Sequence, residues 1–170
     1  MELGNKWALN IIKFTTIESE KAFCHDVLSK IYNNRINLTN NWSSVLGETL
    51  VRDCLVKRHN QRIIPFDNRL RPDFVTNDFI VEVKTRNFNT SGTAGEKILF
   101  PSLKYMDIVN ELRKPLLVVL VGYQEIEARD KFGMFKPENK IINFLKTLNI
   151  HYICYSDFIN TDLGNISYND

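Results

Sequence analysis

The chain has 170 residues, of which 44% are hydrophobic and 25% are charged, and its formal net charge at pH 7 is +2. This composition predicts one soluble globular domain, and it excludes a chain that is basic throughout. The longest apolar run, Leu116 to Val121, is too short to span a bilayer, and the first residues lack the pattern of a signal peptide. We therefore expect a cytoplasmic setting without a membrane, in which Cys24, Cys54 and Cys154 are buried and reduced.

The first part of the chain is predicted to fold into two helices and a short strand. Apolar residues at helical spacing predict one helix over Thr16 to Tyr32. A second helix is predicted from Ser43 or Ser44, either of which is a good N-cap, to Lys57. The polar stretch Asn33 to Asn41 between them is typical of a loop. A short strand is predicted at Ile63 to Phe66.

The second part of the chain is predicted to alternate helices and buried strands. The continuous apolar run Leu116 to Val121 is typical of a strand that is covered on both faces in the middle of a mixed sheet. The other elements are, in chain order, a loop over Thr85 to Gly95, a helix from Pro101 to before Pro115, a charged irregular segment over Glu125 to Phe135, a helix with Pro137 at its first position, a strand over Ile150 to Tyr155 and a poorly ordered tail after Asn160. The last two strands should be joined by a right-handed crossover.

The segment from Arg71 to Lys84, R-P-D-F-V-T-N-D-F-I-V-E-V-K, has the pattern of a β-hairpin. A type I′ turn is predicted at Asn77-Asp78, because both residue types tolerate a positive φ. The hairpin then places Asp73 directly opposite Glu82, with Cβ atoms roughly 5 Å apart. Lys84 shares their face because side chains alternate along a strand. The other face of the second strand is predicted to enter the core through Phe79, Val81 and Val83.

Two opposed carboxylates destabilise a sheet unless a positive charge lies near them. A hard divalent cation such as Mg²⁺ would supply that charge, because it prefers oxygen ligands and is often held by one or two carboxylates, waters and a substrate phosphate. Beside it, Lys84 could orient or deprotonate a water molecule, or neutralise a phosphate. The alternative is that Lys84 only joins Asp73 and Glu82 in an ordinary cross-strand ion pair.

The residues Pro72-Asp73 and Glu82-Val83-Lys84 resemble the signature of the PD-(D/E)xK nucleases, a group that includes the type II restriction endonucleases. The segment T-S-G-T-A-G-E-K-I, Thr90 to Ile98, also resembles a stretch that follows the E-x-K strand in some restriction enzymes. The resemblance covers Glu48 to about Tyr105, about a third of the chain. It implies an α/β fold with a mixed central sheet flanked by helices. That single domain would have an N-terminal helical segment (1–41), a catalytic core (42–156) and a C-terminal tail (157–170).

The resemblance further implies a DNA endonuclease that uses Mg²⁺, with Mn²⁺ as a substitute, and leaves 5′-phosphate and 3′-hydroxyl ends. Asp73, Glu82 and the carbonyl of Val83 would bind the metal, and Lys84 would position or deprotonate the attacking water. Members of this group often carry a further acidic residue at the metal site.

Glu48 is the expected additional acid, because the small Gly47 beside it lets the helix backbone approach the sheet. The alternative for Glu48 is an exposed ion pair with Arg52, worth about 0.3–0.5 kcal/mol.

Basic and polar residues near the hairpin are expected to contact double-stranded DNA. The candidates are Arg62, Arg71, Arg86, Asn87, Asn89, Ser91, Thr93 and Lys97. Base reading is assigned to Arg86–Asn89 and to the charged segment Glu125–Lys136, which contains Arg129 and Lys131. The aromatic residues Trp42, Tyr105 and Tyr123 are predicted to belong to the core or its rim.

Cutting both strands most simply requires a homodimer on a palindromic site. A type II restriction enzyme also implies a cognate DNA methyltransferase in the host. The alternatives are a Holliday-junction resolvase or DNA-repair nuclease with the same fold, or a non-catalytic DNA-binding domain.

Overall fold

The computed structural model describes residues 16–31, 42–86 and 94–169. Its centre is a four-stranded mixed sheet in the order β1-β2-β3-β4. The strands are β1 (Phe74–Val75), β2 (Ile80–Thr85), β3 (Leu116–Val121) and β4 (Ile150–Cys154). The first pair is antiparallel, whereas β2, β3 and β4 are parallel. The α/β class and the mixed sheet predicted from the sequence are therefore confirmed.

Helices cover both faces of this sheet. They are α1 (Ile17–Ile31), α2 (Trp42–Lys57), α3 (Ala94–Lys104), α4 (Met106–Leu112), α5 (Tyr123–Ile126), α6 (Lys140–Thr147) and α7 (Tyr155–Phe158), with a π-helical turn at Glu127–Lys131 and a 3-10 turn at Leu163–Asn165. Among the helices in the three described ranges, none has the length and apolar character needed to cross a bilayer.

Two hydrophobic cores lie on opposite faces of the sheet. On the first face, α2 packs against Phe79, Val81 and Val83, as predicted. The contact is close, because a Cβ added at Gly47 would lie 2.5 Å from the Cγ2 atom of Thr85. On the second face, α3, α4 and α6 cover the alternate residues of the same strands. All six residues of β3 are buried, which confirms its central position.

The hairpin has the predicted register but not the predicted turn. Phe74 faces Val81 and Val75 faces Ile80, as a two-residue turn at Asn77-Asp78 requires. The type I′ prediction is wrong, because neither of these two described residues has a positive φ. The hydroxyl of Thr76 instead accepts hydrogen bonds from the backbone N–H groups of Asp78 at 3.2 Å and Phe79 at 2.9 Å. A side-chain acceptor therefore closes the turn without left-handed residues.

Two predictions in the first part of the chain are corrected. The expected strand at Ile63–Phe66 is reduced to a single bridge between Ile63 and Thr76, because Pro65 has no N–H group to continue a ladder. The serines Ser43 and Ser44 are not N-caps, since α2 already begins at Trp42. The loops predicted over 33–41 and, for its central part, over 87–93 lie outside the described residues.

Two helix starts in the second part also differ from the predictions. The helix assigned to Pro101 begins earlier, at Ala94, with the proline inside α3. The single predicted helix is divided at Tyr105 into α3 and α4. Pro137 precedes α6, whose N-cap is Asn139, because the side chain of Asn139 accepts the N–H group of Ile142 at 3.0 Å.

The charged segment and the tail are more ordered than their composition predicts. The segment predicted to be irregular over Glu125–Phe135 contains the end of α5 and the whole π-helical turn, and it buries Glu125 and Glu127. The tail after Asn160 was predicted to be poorly ordered, but Leu163 enters the first core. The N–H group of Asn169 also donates to the side chain of Asn149 at 2.8 Å. Both predictions are wrong, since distant side chains supply partners for these polar segments.

Candidate active site

The hairpin register brings the two predicted metal-binding carboxylates together. Phe74 pairs with Val81, and the same register continued by one residue places Asp73 opposite Glu82. The N–H group of Thr76 donates to the carbonyl of Phe79 at 2.8 Å. Because hydrogen-bonded pairs alternate along an antiparallel ladder, Asp73 and Glu82 fall at a non-hydrogen-bonded position, where Cα atoms are only about 4.5 Å apart. The local fold therefore crowds two acidic side chains.

The proline before Asp73 changes the next position of the ladder. Continued one residue further, the register would place Pro72 opposite Val83 at a hydrogen-bonded position, but proline has no N–H group to donate to the Val83 carbonyl. The N–H group of Val83 donates instead to the Oδ2 atom of Asp73 at 2.7 Å. The two backbone groups of a residue in such a pair face the same neighbouring strand. The Val83 carbonyl is thus directed to the side on which Asp73 lies.

The carboxylate of Glu82 is held from two directions. It belongs to a residue with only 5% exposure, and its Oε1 atom accepts a hydrogen bond from the Lys84 ammonium group at 2.5 Å. Its Oε2 atom accepts a hydrogen bond from the hydroxyl of Tyr105 at 2.8 Å. That hydroxyl in turn accepts from the Lys104 ammonium group at 2.6 Å. Lys84 therefore pairs with Glu82, while Asp73 is bonded to the backbone.

Burial and nearby negative charge raise the pKa of two groups at this site. Burial, followed by the negative charges of Glu82 and Glu48, raises the pKa of Asp73 to about 7, although the Val83 N–H group and Lys84 oppose the shift. Burial and the charge of Glu82 also raise the pKa of Tyr105 above its ordinary value, so its hydroxyl keeps its proton. Within the described residues, the Val83 N–H group and Lys84 thus offset the burial of Asp73 and its repulsion from the other acids only in part.

Glu48, on α2, lies near these acids. Partial desolvation and the charge of Glu82 raise the pKa of Glu48, and Lys84 opposes the shift. Glu48 is otherwise exposed, and in the described chain no ion pair joins it to Arg52. No three His, Cys, Asp or Glu residues within the described ranges are grouped as a metal site. A metal-binding role for Glu48 stays a prediction.

The donor set nevertheless fits one hard cation. Asp73, Glu82 and the Val83 carbonyl offer oxygen atoms only, which suit Mg²⁺ or Mn²⁺ better than a soft metal. Mg²⁺ is usually held by one or two carboxylates and completes its shell with waters and phosphate oxygens. The raised pKa of Asp73 is the observation that matches this chemistry, because a cation would oppose both the burial that is its largest cause and the repulsion from Glu82.

The predicted DNA-contacting residues differ in their exposure and in their contacts within the protein. Arg62, Arg71 and Lys97 are exposed, and one guanidinium nitrogen of Arg71 lies 4.0 Å from a carboxylate oxygen of Asp67. Asn87, Asn89, Ser91 and Thr93 lie outside the described residues.

Arg86 differs from these exposed residues, because it forms an ion pair with a buried acid. Its guanidinium group binds the carboxylate of Glu127 at 2.8 Å and lies 4.7 Å from the centroid of the Tyr123 ring. Arg86 therefore has internal partners on α5 and the adjoining π-helical turn.

The two basic residues assigned to base reading in the Glu125–Lys136 segment also have internal partners. Arg129 binds Asp157 at 2.7 Å and Glu125 at 3.3 Å. Lys131 lies 3.7 Å from a carboxylate oxygen of Glu127.

Tyr105 and Lys104 are the site residues that sequence reasoning missed. Tyr105 was predicted to be a core or rim aromatic, and it is indeed fully buried. The available signal was the rule that a buried tyrosine hydroxyl usually finds a partner. Its partner, Glu82, is 23 residues away in the chain, so only the packing of α3 against the sheet could identify it.

Comparisons with protein-family models, with curated proteins and with solved structures find no significant match for this chain. What the site can do must therefore be inferred from its geometry and chemistry.

Proposed function

We propose that this protein is a Mg²⁺-dependent DNA endonuclease that cleaves double-stranded DNA at a short specific site, in the manner of a type II restriction enzyme. The supporting observation is the crowded pair of Asp73 and Glu82, with the Lys84 ammonium group 2.5 Å from Glu82 and the pKa of Asp73 raised to about 7. The P-D and E-x-K residues that suggested this chemistry thus share one edge of the sheet.

The side chains have distinct roles in the proposed reaction. Asp73, Glu82 and the Val83 carbonyl would hold the cation. When bound, Mg²⁺ would lower the pKa of a water molecule and stabilise charge on the scissile phosphate. Lys84, whose ammonium group donates hydrogen bonds and accepts none, would orient the attacking water while its pairing with Glu82 fixes its position. The products would carry 5′-phosphate and 3′-hydroxyl ends.

The partners in this proposal are duplex DNA, a second copy of the chain and a host DNA methyltransferase. One active site cuts one strand, so a symmetric dimer on a palindrome is the simplest way to cut both. The exposed Arg62, Arg71 and Lys97 suit phosphate contacts. Of the two related candidates, a restriction enzyme is favoured over a junction resolvase by the small net charge of +2, since shape-reading nucleases rely on extended basic surfaces.

The test is incubation of the purified protein with Mg²⁺ and a long natural duplex, beside a synthetic four-way junction. Discrete fragments from the duplex are expected, and they should be lost in the Asp73→Asn variant and without the metal. Cleavage of the junction alone would indicate a resolvase. Binding of either DNA without cleavage would indicate a non-catalytic domain, and either of these results would contradict the proposal.

A further inference from the structure

We infer that Tyr105 is a positioning residue of the proposed site, whose hydroxyl group fixes the Glu82 carboxylate in the orientation that binds a divalent cation. This inference rests on the proposed function and adds to it a residue outside the P-D and E-x-K segments. Tyr105 occupies the break between α3 and α4 and has no exposed surface. A bound cation would be contacted by Glu82, and Tyr105 would act through Glu82.

The backbone of Tyr105 is hydrogen-bonded to the helices on both sides of it. Its N–H group donates to the carbonyl of Pro101 and its carbonyl accepts from the N–H group of Val109, each at 3.0 Å. The ring itself packs in the second core with Ile98 and Ile108. Its hydroxyl therefore reaches Glu82 from a rigid element that is separate from the hairpin.

The hydrogen-bond partners determine where the single hydroxyl proton lies. Lys104 can only donate, so the Tyr105 oxygen is the acceptor of that 2.6 Å bond. Two acceptors compete for the proton: the Glu82 carboxylate at 2.8 Å and the carbonyl of Arg71 at 3.1 Å. The carboxylate is both closer and charged, and charged acceptors form the stronger bond. The hydroxyl is thus aimed at Glu82.

This arrangement orients Glu82 without using up its oxygen atoms. Each carboxylate oxygen can accept about two hydrogen bonds or metal bonds, whereas Tyr105 uses one position on Oε2 and Lys84 uses one on Oε1. Two partners from different elements restrict rotation of the side chain. Groups that orient a metal ligand in this way commonly change metal affinity about 10- to 100-fold when they are removed.

Tyr152 provides a matched control within the same core. It is 5% exposed, and its hydroxyl donates to the backbone carbonyl of Ile98 at 2.9 Å. Replacing either Tyr105 or Tyr152 by phenylalanine keeps the ring and removes one buried hydroxyl group with its hydrogen bonds. Only the Tyr105→Phe change removes a bond to an acidic side chain. The two variants therefore separate loss of Glu82 positioning from loss of a core hydrogen bond.

The experiment measures Mn²⁺ binding to the full chain by the electron paramagnetic resonance signal of free Mn²⁺, for wild type, Tyr105→Phe, Tyr152→Phe and Asp73→Asn. The dissociation constant is expected to rise about 10- to 100-fold in Tyr105→Phe and to stay at the wild-type value in Tyr152→Phe. Thermal melting of both tyrosine variants checks that each remains folded. Because phenylalanine keeps the buried ring, both are expected to melt as folded proteins.

The outcomes distinguish this inference from the proposed function. Wild-type protein that binds no Mn²⁺, or binds it equally well after Asp73→Asn, would overturn the proposed function and the inference with it. Asp73-dependent binding that is unchanged in Tyr105→Phe would overturn the inference alone. Equal weakening in Tyr105→Phe and Tyr152→Phe would also overturn it, because the effect would then belong to the core as a whole.

Discussion

The hairpin acids, Asp73 and Glu82, and the helix acids, Glu125 and Glu127, are both accompanied by basic residues, but their charges are balanced differently. Glu127 pairs with Arg86 at 2.8 Å, and Glu125 accepts from Arg129 at 3.3 Å. Arginine thus supplies each helix acid with a fixed counter-charge. Within the described residues, Glu82 accepts from the Lys84 ammonium group and the Tyr105 hydroxyl, whereas Asp73 accepts from the backbone N–H group of Val83.

This difference shows why charge in a sequence does not identify a DNA-binding surface. Ion pairs inside the protein join the helix acids to their arginines, and these pairs stabilise the packing of α5, the π-helical turn and α7. Burial and the charge of Glu82 raise the pKa of Asp73, and a divalent cation held by the hairpin acids would oppose both effects. An arginine already paired with a buried carboxylate would have to leave that partner before it could read a base.

The largest contrast is expected in catalysis. Asp73→Ala or Glu82→Ala should abolish cleavage, while DNA binding stays measurable or becomes tighter because repulsion from the phosphates is removed. Lys84→Ala should slow the reaction at least ~10²-fold, the lower range for positioned acid–base groups. Single-turnover rates and equilibrium titrations with duplex DNA measure both effects. The control is Lys57→Ala, which removes an exposed lysine paired with Asp53 at 2.6 Å.

Near-normal turnover in Asp73→Ala would eliminate the site. If Lys84→Ala lowered stability but left the rate per folded molecule unchanged, its pairing with Glu82 would be structural only.

The next largest effect is expected at Arg86, on stability. Arg86→Ala leaves the carboxylate of Glu127, whose side chain is only 6% exposed, without its closest cation. Because Arg86 itself is partly exposed, the free energy of unfolding should fall by about 2–3 kcal/mol, below the full cost of breaking a buried pair. Urea unfolding measures it, with the exposed Arg62→Ala as a control expected to lie within about 0.5 kcal/mol of wild type. Unchanged stability combined with relaxed base preference would instead support the original base-reading assignment.

The sequence predicted the hairpin acids well because local rules determine their positions. Alternation along the strands and a two-residue turn were enough to place Asp73 opposite Glu82, even though the turn is closed by the Thr76 hydroxyl and not by left-handed residues. The apolar run of β3 likewise predicted a central strand.

The helix acids and Tyr105 could not be predicted because their partners are distant in the chain. The Arg86–Glu127 contact spans 41 residues and the Tyr105–Glu82 contact spans 23. A segment of mixed charge has the same composition whether it faces solvent or forms internal ion pairs. The starting residue of α6 was missed for a more local reason. Pro137 was expected to begin this helix, but the side-chain cap from Asn139 determines where it starts.

A third effect is expected in the pH dependence of stability, at Glu20 on α1. Burial raises the pKa of Glu20 to about 7 from its ordinary value of 4.5. Between these pH values the folded protein therefore keeps a proton on Glu20, whereas the unfolded chain releases it. The contribution of Glu20 to the free energy of unfolding falls as pH rises from 4.5 to about 7.

Glu20→Gln should remove that decline, a change on the order of 2 kcal/mol between pH 4.5 and 7. Chemical unfolding at several pH values measures it, with the exposed Glu18→Gln on the same helix as a control. A variant that loses stability with pH as steeply as wild type would contradict the assignment.

The smallest effect is expected at Gly47, where α2 meets the strand that carries Glu82 and Lys84. An added Cβ would lie 2.5 Å from the Thr85 Cγ2 atom and 3.1 Å from the Val83 Cγ1 atom. Gly47→Ala should therefore cost about 1 kcal/mol, because crowding outweighs the gain in helix propensity. Thermal melting beside the exposed Ser44→Ala checks this. A more stable Gly47→Ala protein would show that the helix is not packed this tightly.

The most direct test is the effect of Mg²⁺ on the melting temperature of wild type, Asp73→Asn and Glu20→Gln. Burial raises the pKa of Asp73 and of Glu20 to about 7, so the two variants remove similar acids from different regions. Mg²⁺ should raise the melting temperature of wild type and Glu20→Gln, corresponding to about 2.7 kcal/mol at 100 times the dissociation constant, but not that of Asp73→Asn. A wild-type protein that does not respond to Mg²⁺, or an Asp73→Asn protein that responds equally, would contradict the proposed cation site between Asp73 and Glu82.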